Sequence, residues 1–172
     1  KHIRQEAILR LHNYLERMGL VINTEKSKQV KAREHPFEFL GFAFRYDDSV
    51  LYKGSRFWNV IPRPKSQKKV RQSINTRLKS IGHYPPEAVV AELNPIIRGW
   101  MNYYRIHKVS YMQVAFKKLA YYLRTRLFRY YQRKSQRKTR LYGQKAYERL
   151  TRNYGLVVPF KTSGTRPVKA LK

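Results

Sequence analysis

Asp47 and Asp48, in Arg45-Tyr46-Asp47-Asp48, are adjacent carboxylates and the only aspartates of the chain. Paired carboxylates between apolar runs could hold a divalent metal for phosphoryl chemistry, but there is no other Asp to complete such a site. The His residues, at 2, 12, 35, 83 and 107, are scattered without ligand spacing, which speaks against zinc. The absence of Cys removes thiolate ligands, a thiol nucleophile and any disulfide framework, and fits a reducing, cytoplasmic setting. What dominates is positive charge: 38 Lys and Arg against 10 Asp and Glu, a net +28 over 172 residues. Between Glu92 and Glu148, 55 positions carry 14 Lys or Arg and no acid. A folded surface so one-signed repels itself unless a polyanion neutralises it. The 14 Tyr, whose rings can stack on unpaired bases, favour nucleic acid over a membrane surface as that polyanion.

These residues need a scaffold, and the composition provides for one. With 42% hydrophobic and 14% aromatic residues the chain is no disordered basic tail. No uncharged run approaches the roughly 18 residues of a membrane span, and no signal architecture opens the chain. Residues 1–60 hold 11 basic and 7 acidic residues, whereas residues 61–172 hold 27 and 3, so the excess belongs to the later part. Ile3, Ala7, Ile8, Leu11, Leu15 and Met18 recur at helical spacing before Gly19, which predicts an amphipathic first helix. Lys1 enters without Met or an N-cap signal, as a piece of a longer chain would. Leu20-Val21-Ile22 reads as a short strand. Phe37 to Phe44 and Val50 to Tyr52 read as strands around a polar turn at Tyr46 to Ser49, with a further strand at Arg56 to Ile61. Pro62 and Pro64 mark a boundary.

Beyond it Val70, Ile74, Leu78 and Ile81 predict a helix with Ser66 as N-cap and Gly82 as stop. Pro85-Pro86-Glu87 opens the next helix, expected to break at Pro95 and to restart through Ile96, Ile97, Trp100, Tyr103 and Tyr104. Residues 110–131 are the longest periodic stretch, with Val114, Ala115, Leu119, Tyr122, Leu123 and Leu127 inward and Lys117, Lys118, Arg124 and Arg129 outward. A short helix is expected within 141–154. The fold class is therefore α+β, mostly α: a small antiparallel β element with one helix, followed by a helical bundle.

Three stretches, in order, resemble the reverse transcriptases encoded by group II introns, also called maturases. Leu15 to Lys28, LERMGLVINTEKSK, is similar to the helix, turn and strand that follow the catalytic hairpin of the palm. Phe39-Leu40-Gly41-Phe42 is similar to the primer-grip turn, and Leu93 to Arg105, LNPIIRGWMNYYR, resembles the helix of the maturase-specific thumb. The resemblance implies a palm end over 1–61, a helical thumb over 62–155 and a flexible tail over 156–172. For the intact parent it implies RNA-directed DNA synthesis with magnesium and deoxynucleotides, and binding of intron RNA in splicing. It also implies upstream fingers and palm, on the same polypeptide or a separate chain. That family's polymerase site uses an early aspartate and a Tyr-x-Asp-Asp pair, both expected upstream of Lys1. Arg45 stands where the motif needs Tyr, and Asp47-Asp48 follows the grip turn instead of preceding it. No catalytic residue, metal or cofactor is therefore expected in this chain, and Asp47 and Asp48 read as a solvated turn.

The expected nucleic-acid contacts are Lys26, Lys28, Arg98, Tyr104, Arg105, Lys117, Arg124, Arg129, Arg133, Lys134, Arg137, Lys138 and Arg140, with Phe39, Leu40, Gly41 and Phe42 as the primer-grip turn. The partners are RNA and an RNA–DNA hybrid, not a membrane. Trp100 is expected in the core, and one of Tyr103 and Tyr104 is expected to face nucleic acid. Two other readings fit the charge: a stand-alone basic RNA-binding protein of a ribonucleoprotein, or the thumb of a reverse transcriptase serving defence or spacer acquisition.

Overall fold

The computed structural model describes residues 2–23, 27, 30–49, 52–82, 84–106, 111–133 and 145–160. Helix α1 (His2–Arg17) precedes a three-stranded antiparallel sheet in the order β1 (Phe37–Phe39), β2 (Phe42–Asp48), β3 (Arg56–Pro62). Four helices follow: α2 (Pro64–Ser80), α3 (Pro86–Tyr104), α4 (Gln113–Arg133) and α5 (Ala146–Tyr154). The fold is α+β and mostly α, as the sequence predicts.

Phe39 pairs with Phe42, so only Leu40 and Gly41 join β1 to β2. Both have positive φ, +46° and +82°, as a two-residue type I′ hairpin requires. For Leu40 that left-handed backbone costs about 1–2 kcal/mol. Alternation along the strands puts Phe37, Phe42, Phe44, Tyr46, Trp58 and Val60 on one face, where Phe37 stacks on Phe44 with ring centroids 4.8 Å apart. The sheet corrects the expected polar turn. β2 runs through Asp47 and Asp48, which pair with Phe57 and Arg56, and the chain reverses later, where Ser49 N–H donates to the Ser55 carbonyl. Leu20-Val21-Ile22 forms no strand, because no strand among the described residues offers it a ladder, and Val21 is almost wholly exposed.

Pro62 ends β3 and Pro64 opens α2 at its first turn, where a missing N–H costs nothing. Val70, Ile74, Leu78 and Ile81 are buried as predicted. Ser66 is not the N-cap; that position is Arg63, and the Ser66 hydroxyl serves Tyr104 and Trp100 instead. α3 does not break at Pro95. A helix-interior proline costs about 3 kcal/mol, but Leu93 and Ile97 on either side are fully buried, each contributing about 1.5–3 kcal/mol, and together they outweigh it. The Arg77 guanidinium pairs with Glu92 between α2 and α3.

α4 buries Ala115, Phe116, Leu119, Leu123, Leu127, Tyr130 and Tyr131, while Val114, expected inward, is exposed one residue ahead of that stripe. α5 ends in a left-handed Gly155, with Leu156 N–H reaching back to the Leu150 carbonyl. Residues 156–160, placed in the tail by sequence, are partly packed: Leu156 is buried, and Asn94 of α3 donates to the Gly155 carbonyl (3.1 Å) and accepts from Val157 N–H (2.8 Å). α1 has the predicted helical span, but Leu9, Leu11 and Tyr14 lie exposed along it, as does Met18 just beyond its end.

Candidate nucleic-acid interface

The hairpin turn and α3 are built against each other. Gly41 lies so close to α3 that a Cβ there would stand 2.7 Å from the Tyr104 hydroxyl. The Tyr103 hydroxyl donates to the Leu40 carbonyl at 2.8 Å, and Arg63 N–H donates to the Gly41 carbonyl at 3.0 Å. Beneath the turn Phe42 is buried, edge-on to Tyr104 with centroids 4.9 Å apart and nearly parallel to Tyr103. The Ser66 and Tyr104 hydroxyls bond at 2.5 Å, and Trp100 Nε1 donates to the Ser66 hydroxyl at 3.3 Å. Two of the stretches singled out by resemblance, Phe39 to Phe42 and Leu93 to Arg105, thus meet in one place across 63 positions of sequence. Phe39 and Leu40 stay exposed at its tip.

Of the two tyrosines, Tyr103 is the surface one, 55% exposed, and Tyr104 is buried at 5%. Tyr104, the expected contact, is held by Ser66 of α2 and packs against Gly41 of the turn. Trp100 is partly buried against the core, as expected.

Five of the predicted cations have described side chains, on or next to α3 and on α4. Arg98 is exposed on α3 and Arg105 just past its end, with the Arg105 guanidinium 5.2 Å from the Phe116 ring centroid. Lys117, Arg124 and Arg129 are exposed on α4. Lys117 lies over Phe160 at 4.8 Å. Arg124 is 3.0 Å from Glu148 and sits over Tyr147, so it has an acidic partner that the sequence interval around it lacks. Lys26, Lys28, Lys134, Arg137, Lys138 and Arg140 lie outside the described residues, as does the Arg133 side chain.

Two features escaped sequence reasoning. Tyr121, 73% exposed, stands on α4 between Lys117 and Lys118 on one side and Arg124 on the other. Lys65, Lys68 and Lys69 are exposed along the first turns of α2, which carry no acid. A helix N-terminus disfavours cations, so this run opposes its own helix dipole. The i, i+3, i+4 spacing of the three lysines is the signal that sequence offers for them.

The magnesium implied for the parent does not fit the carboxylates present. Adjacent strand residues point to opposite faces, so Asp47 and Asp48 cannot share an ion. Asp47 accepts from the Arg45 guanidinium (2.7 Å) and Asn59 Nδ2 (2.9 Å), and Asp48 is 3.0 Å from Arg56. Burial pushes the Asp47 carboxyl up, but the hydrogen bonds from Arg45 and Asn59 and the charges of Arg45 and Arg56 outweigh it and hold it below its ordinary value. Among the described residues no group of three His, Asp or Glu could hold a metal ion, and no described helix is long and apolar enough to cross a membrane. What the surface offers is fixed positive charge with exposed aromatic rings, which suits phosphates and bases.

No curated protein matches the chain. Residues 67–150 match the family model described as group II intron, maturase-specific domain.

Proposed function

We propose, from the match of residues 67–150 to the maturase-specific domain of group II introns, that this chain binds intron RNA and grips a primer–template duplex. The observation that carries the proposal is the locked junction of the Leu40–Gly41 turn with Tyr103 and Tyr104 of α3, beside α2 and α4, which expose Lys65, Lys68, Lys69, Lys117, Lys118 and Arg129. Lys65, Lys68 and Lys69 of α2 and Lys117 and Arg129 of α4 neutralise phosphates; such contacts position the strand without reading its sequence. The left-handed Leu40–Gly41 turn presents backbone and the exposed Leu40 side chain to the strand end. A rigid attachment to α3 fixes that turn relative to the helices that hold the duplex, and such positioning is a large part of catalysis by a polymerase.

In the parent, magnesium held upstream would supply the nucleotidyl-transfer chemistry; this chain supplies grip. Binding to a structured intron-like RNA, an RNA–DNA hybrid and duplex DNA, each titrated across salt, tests the reading. Tighter binding of the RNA and the hybrid, with no nucleotide incorporation by this chain, is expected. Equal affinity for all three would reduce it to a general polyanion binder.

A further inference from the structure

α2 and α3 leave an open groove of about 280 Å³ between them, just below the roughly 300–1,000 Å³ of ligand pockets. That is space for one nucleoside, not for a helix. Trp100, Tyr103 and Tyr104 contribute aromatic surface to the groove, Val70 and Ile96 close its apolar side, and Ser66 and Ser73 supply hydroxyls. Lys69 stands on its wall, with Lys65 one helical turn earlier on the same row and exposed.

The lining sorts by chemistry. Tyr103 is more than half exposed yet held in place, by its hydroxyl on the Leu40 carbonyl and by its ring lying 18° from parallel to Phe42. Trp100 is fixed by its indole N–H on Ser66 and by Tyr104 and Phe116 at 5.2 and 5.9 Å. Rings immobilised before binding lose little entropy when a flat partner stacks on them. An apolar peptide would use the rings and Ile96 but would leave Lys69 facing apolar atoms. A nucleotide uses both, the base on the rings and its phosphate on the ammonium, and a chain of net +28 draws the polyanion.

We propose that the groove between α2 and α3 binds one unpaired nucleotide of an RNA strand, its base stacked on Tyr103 or Trp100 and its phosphate on Lys69. This rests on the RNA-binding reading above and adds to it a preference for unpaired bases beside the hairpin turn.

The test uses the full chain with two RNAs of equal length: a hairpin whose loop carries 5-bromouridine, and a blunt, fully paired duplex. Ser73 is exposed on α2, so Ser73→Trp fills the groove without entering the core. The proposal expects photo-crosslinks from the loop to Tyr103 or Trp100. It also expects Ser73→Trp to lower the ratio of hairpin to duplex affinity about tenfold, within the range for removal of one stacked base. Crosslinks confined to other residues such as Tyr121, or an unchanged ratio in a folded Ser73→Trp chain, would overturn it while leaving RNA binding intact. Failure of the wild-type chain to bind either RNA would overturn it together with the RNA-binding reading.

Discussion

Gly41 has a φ of +82° and faces the Tyr104 hydroxyl across a gap that a Cβ would close to 2.7 Å. Gly41→Ala therefore meets two penalties, a left-handed backbone worth about 1–2 kcal/mol and a clash with a hydroxyl pinned by Ser66. Chemical denaturation should show destabilisation by about 2 kcal/mol, part of it recovered when Tyr104→Phe removes the hydroxyl; no recovery would mean that the backbone alone carries the cost. Tyr103→Phe should cost about 1 kcal/mol, the usual net worth of one hydrogen bond, because it releases the Leu40 carbonyl. Asp47 provides a pH signature. Its folded value lies below the ordinary 3.8, so its stabilisation is complete above that value and is lost as pH falls through the lower folded one. Asp47→Asn should flatten the acid limb of the stability curve, and an unchanged limb would place the acid sensitivity elsewhere.

The helices make different predictions because their interactions are longer in range. Asn94 of α3 holds the chain after α5 by two hydrogen bonds, so Asn94→Ala should cost about 1–3 kcal/mol and speed amide exchange at Val157. In the helical bundle burial raises the hydroxyl pKa of Tyr122, Tyr130, Tyr131 and Tyr147 above 10.0. An acid whose folded pKa is raised contributes stability that is full below its ordinary value and is lost as pH rises towards the raised one. Ultraviolet titration should therefore show these phenols ionising together with unfolding at alkaline pH. Periodicity makes most of these helices legible: the stripes Val70–Ile81 and Ala115–Leu127 are buried nearly as spaced. Pro95 is not the break its residue type predicts, because sequence shows the local cost of a proline and not the burial of Leu93 and Ile97 beside it. Asp47 and Asp48 are not the turn that carboxylates favour, because Arg56 and Asn59 across the ladder accept them into a strand. The turn at Leu40–Gly41 is legible as a Gly position, but its attachment to Tyr103 depends on residues 63 positions apart.

Over the whole molecule, charge is legible at once and its arrangement is not. The sequence places the excess beyond residue 60; among the described residues folding puts much of it on α2 and α4, pairs Arg124 with Glu148, and keeps Lys65, Lys68 and Lys69 exposed at the start of α2. Replacing these three lysines with Gln should reduce the salt dependence of RNA binding by about 0.7–0.9 in slope for each phosphate no longer neutralised. An unchanged slope would put that face away from the RNA. The amphipathic α1 is also legible, yet within this chain Leu9, Leu11 and the following Met18 remain exposed. The most direct test of the central claim is the affinity of this chain for a structured intron-like RNA, an RNA–DNA hybrid and duplex DNA across a salt series. Salt-dependent binding that favours the RNA and the hybrid over duplex DNA at every salt concentration is expected. Affinities that coincide for all three would contradict it.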